Sequence, residues 1–311
     1  MLTAICTLFE KDYHYGVGVL VNSLYNYGFR GVVWVGYRGV LPPWAKPLQD
    51  CQGYQEFSVA EDCVIRFIQL NTPKFFSNNK PDFMLQLWES YCPEVEALFY
   101  FDPDIVNKRR WDFYVEWVHR GITLCEDAYD YMPANHPYRL VWKELAERYD
   151  FVCQRELDRY YNSGFIGVKQ NQKSALLLWQ KLLETFESAG YISLSDFYLA
   201  LNRYPYFQSD QCVLNLALTL TCEPLSTVGR MGMDFGGASL DIMSHASGGA
   251  IKPWRKQLIF RALNGEAPTL TDKAYWQHTQ TPISLYSRSQ YLRKKIALRC
   301  AAAIGRFIRR S

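Results

Sequence analysis

The five residues Ala97 to Phe101 form an uninterrupted apolar run, and Asp102-Pro103-Asp104 follows at once. A run this short, apolar at every position, fits a strand buried on both faces. Such strands belong to parallel sheets covered by helices, so this segment points the chain toward an α/β fold. It also puts two carboxylates, one residue apart, at the carboxyl end of a strand, where open α/β sheets bind ligands.

The rest of the chain keeps the matching alternation. Thr3 to Leu8, Gly31 to Val35, Val64 to Leu70, Ile122 to Cys125 and Phe165 to Val168 read as strands. Tyr15 to Tyr27 reads as a helix, with Val17, Leu20, Val21 and Leu24 at helical spacing. Pro81 to Tyr91, Tyr138 to Tyr149, Ser174 to Glu187 and Cys212 to Leu220 read likewise, the first with Pro in its favoured opening turn. The alternation predicts a mostly parallel central sheet with helices on both faces. No internal repeat, low-complexity tract or Gly/Ser linker interrupts it.

Composition narrows the partners. The net charge of +3 is too small on its own to suggest a nucleic-acid binder, and none is expected. The aromatic share of 16 % suits sugar or nucleobase faces as well as a core. Nine cysteines without a CxxC pair argue against zinc ribbons and thioredoxin-like sites. Met1 to Asp12 lacks a basic start and a long apolar core, so it does not read as a signal peptide. The expectation is reduced thiols in the cytoplasm. No stretch approaches the ~20 apolar residues of a membrane span.

Charge shifts only at the end. From Arg288 to Ser311 there are eight basic residues and no acid, which leaves −5 for the rest. Leu292, Ile296, Cys300, Ala303 and Phe307 recur at steps of three and four, and Ile304 and Ile308 widen the stripe. Arg293, Lys294, Arg299, Arg306 and Arg310 lie largely off it, which predicts a basic amphipathic helix. Such a helix either docks on the domain or attaches peripherally to an anionic membrane surface.

Four segments carry chemistry. Asp102 and Asp104 can converge on one hard divalent cation; read alone, they are also a capped turn. In Tyr161 to Gly167, Gly164 permits close backbone approach, and Asn162 offers a donor and an acceptor. Asp210 and Gln211 precede an apolar helix, which Asp210 can cap. Met243 to Trp254 holds His245, the pair Gly248-Gly249, and Lys252-Pro253-Trp254. Imidazole joins carboxylates around transition metals, and Lys252 is a point charge suited to phosphate.

This order of motifs resembles family 8 glycosyltransferases, which include glycogenin and bacterial lipooligosaccharide galactosyltransferases. Ala4-Ile5-Cys6-Thr7, with Tyr13, Gly16 and Val21-Asn22-Ser23-Leu24, is similar to their N-terminal nucleotide-binding strand and helix. The resemblance implies a GT-A type, Rossmann-like α/β fold over residues 1–265, with a C-terminal extension over 266–311. It implies a nucleotide-sugar donor, usually a UDP-sugar, with Mn²⁺ or Mg²⁺, and transfer with retention of configuration. Asp102, Asp104 and His245 would hold the metal. Thr7 and Tyr13 would contact the nucleotide, Gly248 and Lys252 the diphosphate. Asn162, Gly164, Asp210 and Gln211 would face the donor sugar, and Asp127 a sugar or acceptor hydroxyl.

The acceptor would be a glycan or lipid-linked glycan, as in lipopolysaccharide biosynthesis. The basic tail would hold the enzyme on the inner face of the cell membrane. The chain departs from the family in having one residue more between the His and Lys-Pro-Trp. It also carries Leu85 and Gln86 where the family often has a basic residue, leaving Lys80 or Arg66 as substitutes. Two other readings are open: a sugar nucleotidyltransferase, and an inactive glycan-binding protein on the same fold.

Overall fold

The computed structural model describes residues 1–196, 210–247 and 251–308. The chain opens with β1 (Thr3–Glu10), α1 (His14–Asn26) and β2 (Gly31–Arg38). A polar hairpin follows, β3 (Gln49–Cys51) and β4 (Tyr54–Ala60), and then β5 (Cys63–Gln69). Next come α2 (Lys80–Gln86), β6 (Ala97–Phe101), β7 (Ile105–Asn107), α3 (Trp111–His119), β8 (Ile122–Tyr131) and α4 (Pro137–Glu147). The remaining elements are β9 (Arg159–Lys169), α5 (Ser174–Ser188), α6 (Asp210–Leu220), β10 (Leu225–Val228), β11 (Met243–His245), α7 (Leu258–Leu263), α8 (Leu270–Gln277) and α9 (Arg288–Phe307).

Nine strands form one sheet in the order β10-β8-β9-β6-β1-β2-β5-β4-β3, and β7 pairs separately with β11. The large sheet is mixed. β1 runs parallel to β6, β2 to β5 and β8 to β10. β9 is antiparallel to both β6 and β8, and β4 is antiparallel to β3 and β5. The expected mostly parallel sheet is therefore only partly present. Two-residue connections, Gln52-Gly53 and Glu61-Asp62, force the antiparallel edge, because only antiparallel neighbours can be joined so tightly. Gly53 takes a φ of 86° there, which favours glycine.

By contact the chain forms two compact units, each assembled from three segments. The first comprises Met1–Leu8, Leu70–Phe101 and Tyr114–Arg230; the second comprises Phe9–Gln69, Asp102–Phe113 and Met231–Ser311. In the first, all five β6 residues are buried, as their apolar run predicts. Phe101 and Trp117 pack on Phe165, with ring centroids at 4.8 and 5.4 Å.

In the second unit, buried Asn22 of α1 ties down the segment after α8. Its amide donates to the carbonyls of His278 and Ile283, and its oxygen accepts from the Ile283 N–H, all at 2.7–2.8 Å. Gly16 of α1 lies directly against the Asp-Pro-Asp turn, where a Cβ would collide with the Pro103 carbonyl. All nine cysteines are free thiols.

The tail is helical from Arg288, opened by a reciprocal cap between Ser287 and Gln290. α9 packs on α7, and its buried residues are Ala301 and Gly305. Leu292, Ile296 and Phe307 of the apolar stripe are exposed. Arg310 lies outside the described residues. No described helix is long and apolar enough to cross a membrane.

Candidate functional site

In the second unit, a short antiparallel ladder creates the metal-like constellation. β7 begins immediately after Asp104, and β11 ends at His245, which lies opposite Ile105. The Ala246 N–H then donates to the Asp104 carbonyl at 3.2 Å, and the Ile105 N–H to the Asp102 carbonyl at 3.0 Å. These bonds set two carboxylates beside an imidazole that is distant in sequence. His245 Nε2 lies 3.2 Å from Asp104 Oδ1 and 3.6 Å from Asp102 Oδ2. The ligand atoms of all three residues fall within 4.8 Å of one another. Neighbouring ligands of a six-coordinate ion with ~2.1 Å bonds stand about 3 Å apart, so the spacing fits one small cation. Carboxylates suit hard divalent cations and imidazole suits transition metals, so the three side chains could together hold one divalent ion.

The other oxygen of Asp104 is already engaged. Lys252 Nζ donates to Asp104 Oδ2 at 2.6 Å and also to the Ala246 carbonyl. Burial by itself would raise the Asp104 pKa, but His245 and Lys252 outweigh it and hold the carboxyl far below its ordinary range. Burial likewise works against the Lys252 charge, and the Asp104 carboxylate overcomes it, so this pKa is raised. The pair is therefore ionised, with one carboxylate oxygen facing the imidazole and the other the ammonium.

Tyr13 lies next to this pair. The ammonium of Lys252 sits 5.7 Å from its ring centre and the Arg255 guanidinium 5.6 Å. Trp254 packs edge-on against Tyr13 at 5.4 Å and at a tilt against Tyr275 at 5.7 Å, while its Nε1 donates to Asp12 at 3.0 Å. That makes Trp254 a packing residue. Gly248 lies outside the described residues.

In the first unit, β8, β9 and α6 build a polar cluster. Asn162 Nδ2 donates to Asp127 Oδ2 at 2.6 Å, and its own oxygen accepts from the Gly164 N–H at 2.9 Å. The Ser163 N–H donates to Gln211 Oε1 at 3.0 Å. Asn215 latches α6 to β9 by bonding both the N–H and the carbonyl of Tyr161. Asp210 occupies the first turn of α6, and its carboxylate meets Lys80 Nζ at 3.1 Å, both side chains being buried. Lys80 also donates to the Ser163 carbonyl at 3.0 Å and its hydroxyl at 3.2 Å.

Five of the sequence candidates, Asp127, Asn162, Gly164, Asp210 and Gln211, thus share one network. Lys80 joins it, whereas Arg66 is engaged by Glu56 at 2.8 Å. Ser163, although within the Tyr161 to Gly167 segment, carries no signal of its own; its part is fixed by β9 geometry. Thr7 is wholly buried in β1, and its hydroxyl has no hydrogen-bond partner among the described residues.

No protein-family model matches the chain, and no curated protein sequence matches it.

Proposed function

We propose that this chain is a metal-dependent glycosyltransferase on a GT-A type, Rossmann-like fold, moving a sugar from a nucleotide-sugar donor to a glycan or lipid-linked glycan acceptor. One observation carries the reading: Asp102, Asp104 and His245 converge with Lys252 although the first pair and the last two lie far apart in the chain. A divalent cation held there would neutralise charge on a departing diphosphate. Lys252 supplies a fixed positive charge beside it, and the Tyr13 ring offers a face for a nucleobase.

The cluster of the first unit offers what sugar hydroxyls need. Asp127, Asn162 and Gln211 are donor and acceptor groups of the right kind, held by hydrogen bonds to one another and to the β9 backbone, and the Asp210–Lys80 pair holds α6 and the Ser163 backbone in place. The family resemblance adds UDP as the nucleotide and retention as the stereochemical course.

The test is hydrolysis of a UDP- and GDP-sugar panel with Mn²⁺, with EDTA and Asp104→Ala as controls. Metal-dependent release of UDP from one sugar, lost in both controls, supports the reading. No release from any donor, with no Mn²⁺ binding by calorimetry, refutes it.

The exposed apolar stripe of α9 supports peripheral attachment to an anionic inner-leaflet membrane. Leu292, Ile296 and Phe307 point outward among Arg293, Lys295, Arg299 and Arg306. Each basic residue near such a surface contributes about 1 kcal/mol before salt screening. Full-length protein should co-sediment with phosphatidylserine vesicles at low salt, and a chain ending at Ser287 should not. Equal binding by both would remove the tail from this role.

A further inference from the structure

A histidine that ligates a metal is ordinarily oriented by a hydrogen bond from its other ring nitrogen to a carboxylate or carbonyl. His245 Nδ1 is buried and has no hydrogen-bond partner among the described residues. Its ring is therefore placed by its strand and by packing, and both lead back to Asp234.

The strand comes first. The Asp234 carboxylate is 1 % exposed and accepts from Lys108 Nζ at 2.8 and 2.7 Å and from the Ser244 hydroxyl. Lys108 directly follows β7, and its N–H donates to the Ile242 carbonyl at 2.9 Å, just before β11. Ser244 is the middle residue of β11, paired with Val106. One carboxylate thus fastens both strands near the end of the ladder remote from His245 and Asp104. The packing comes second. Asp234 adopts the left-handed conformation, φ 60° and ψ 26°, which non-glycine residues take at a cost. Phe235 follows it, with its ring centre 5.9 Å from the His245 imidazole.

We infer that Asp234 is a positioning residue for His245, acting through the β7–β11 ladder and through the Phe235 ring. The inference rests on the metal-centre reading above. Lys108 belongs to the same device: it neutralises Asp234, and Ser239 and Asp241 hold its ammonium from the other side at 2.7 and 3.4 Å.

The experiment is Mn²⁺ affinity by calorimetry and electron paramagnetic resonance on the full chain, well below the melting temperature of each variant. The set is wild type, Asp104→Ala, Asp234→Ala, Asp234→Asn and Phe235→Leu. Loss of an outer-shell support typically weakens metal binding about 10- to 100-fold. Asp234→Ala should show that loss, and Phe235→Leu a smaller one with its melting temperature close to wild type. Asp234→Asn, which keeps size and an acceptor oxygen, should fall between and carries the test if the alanine variant does not fold. A lower melting temperature with unchanged Mn²⁺ affinity in the folded variants would overturn the inference and leave the metal centre standing. Absence of Mn²⁺ binding by wild type itself would overturn both.

Discussion

Two buried lysine–aspartate pairs invite comparison, because similar chemistry is arranged to different ends. In the first unit, Lys80 spreads its ammonium over Asp210 and both oxygens of Ser163. In the second, Lys252 grips Asp104 more closely, at 2.6 Å, and the carboxylate turns its other oxygen to His245, with Asp102 beside it. A buried ion pair is seldom a net source of stability, since the cost of removing two charges from water roughly offsets their attraction. Its value lies in what it fixes. The Lys80 pair fixes α6 against β9. The Lys252 pair fixes an ionised carboxylate within reach of two further ligands, so that one more cation can be shared.

The comparison breaks most sharply at Asp104. Asp104→Ala should abolish Mn²⁺ binding and lower transfer by several kcal/mol, on the order of a thousandfold or more. Full activity of that variant with Mn²⁺ would make the second pair as structural as the first. The next effect separates the lysines. Lys80→Met and Lys252→Met each strand a buried carboxylate, which costs about 3–5 kcal/mol of stability. Added Mn²⁺ should then raise the melting temperature of Lys252→Met by more than that of wild type, because the stranded carboxylate binds the ion more tightly. Lys80→Met should gain no more than wild type does. Equal gains in a calorimetric series would erase the distinction. The smallest effect lies in the first cluster. Asp127→Asn replaces the carboxylate that accepts from Asn162 with a neutral amide oxygen, which should cost about 1 kcal/mol of stability with Mn²⁺ affinity unchanged. A matching loss of metal affinity would show that the two clusters do not act separately.

What the sequence made legible follows from which residues advertise their environment. β6 was legible because strands buried on both faces are apolar throughout. The metal candidates were legible only through the order of motifs that the family resemblance supplies, since Asp102 and Asp104 alone also read as a capped turn. β3, β4, β7 and β10 were not, being short or polar, with pairing decided by partners distant in sequence. Lys80 stood in the sequence only as one of two substitutes for a basic residue the family often has; its burial was not legible, since lysine is rarely buried without a partner and its partner Asp210 is supplied by topology. Asp234 and Lys108 belong to no motif, so their carboxylate–ammonium contact emerges only when β7 and β11 meet. In the tail the apolar stripe was read from its large side chains, yet the helix packs through Ala301 and Gly305, small residues whose value is close approach.

The three-segment make-up of the second unit has a consequence for synthesis. Asp104 and His245 are separated by about 140 residues, which a ribosome adds over roughly 7–28 seconds at ~5–20 residues per second. Until then β7 has no β11 to pair with, and Lys252 does not yet exist to balance Asp104. An unbalanced carboxylate cannot be buried cheaply, so the Asp-Pro-Asp turn must stay hydrated on the nascent chain. Imidazole and ammonium then arrive within seven residues of each other. The centre closes late and nearly at once, and any fragment ending before that point carries the carboxylates without the site.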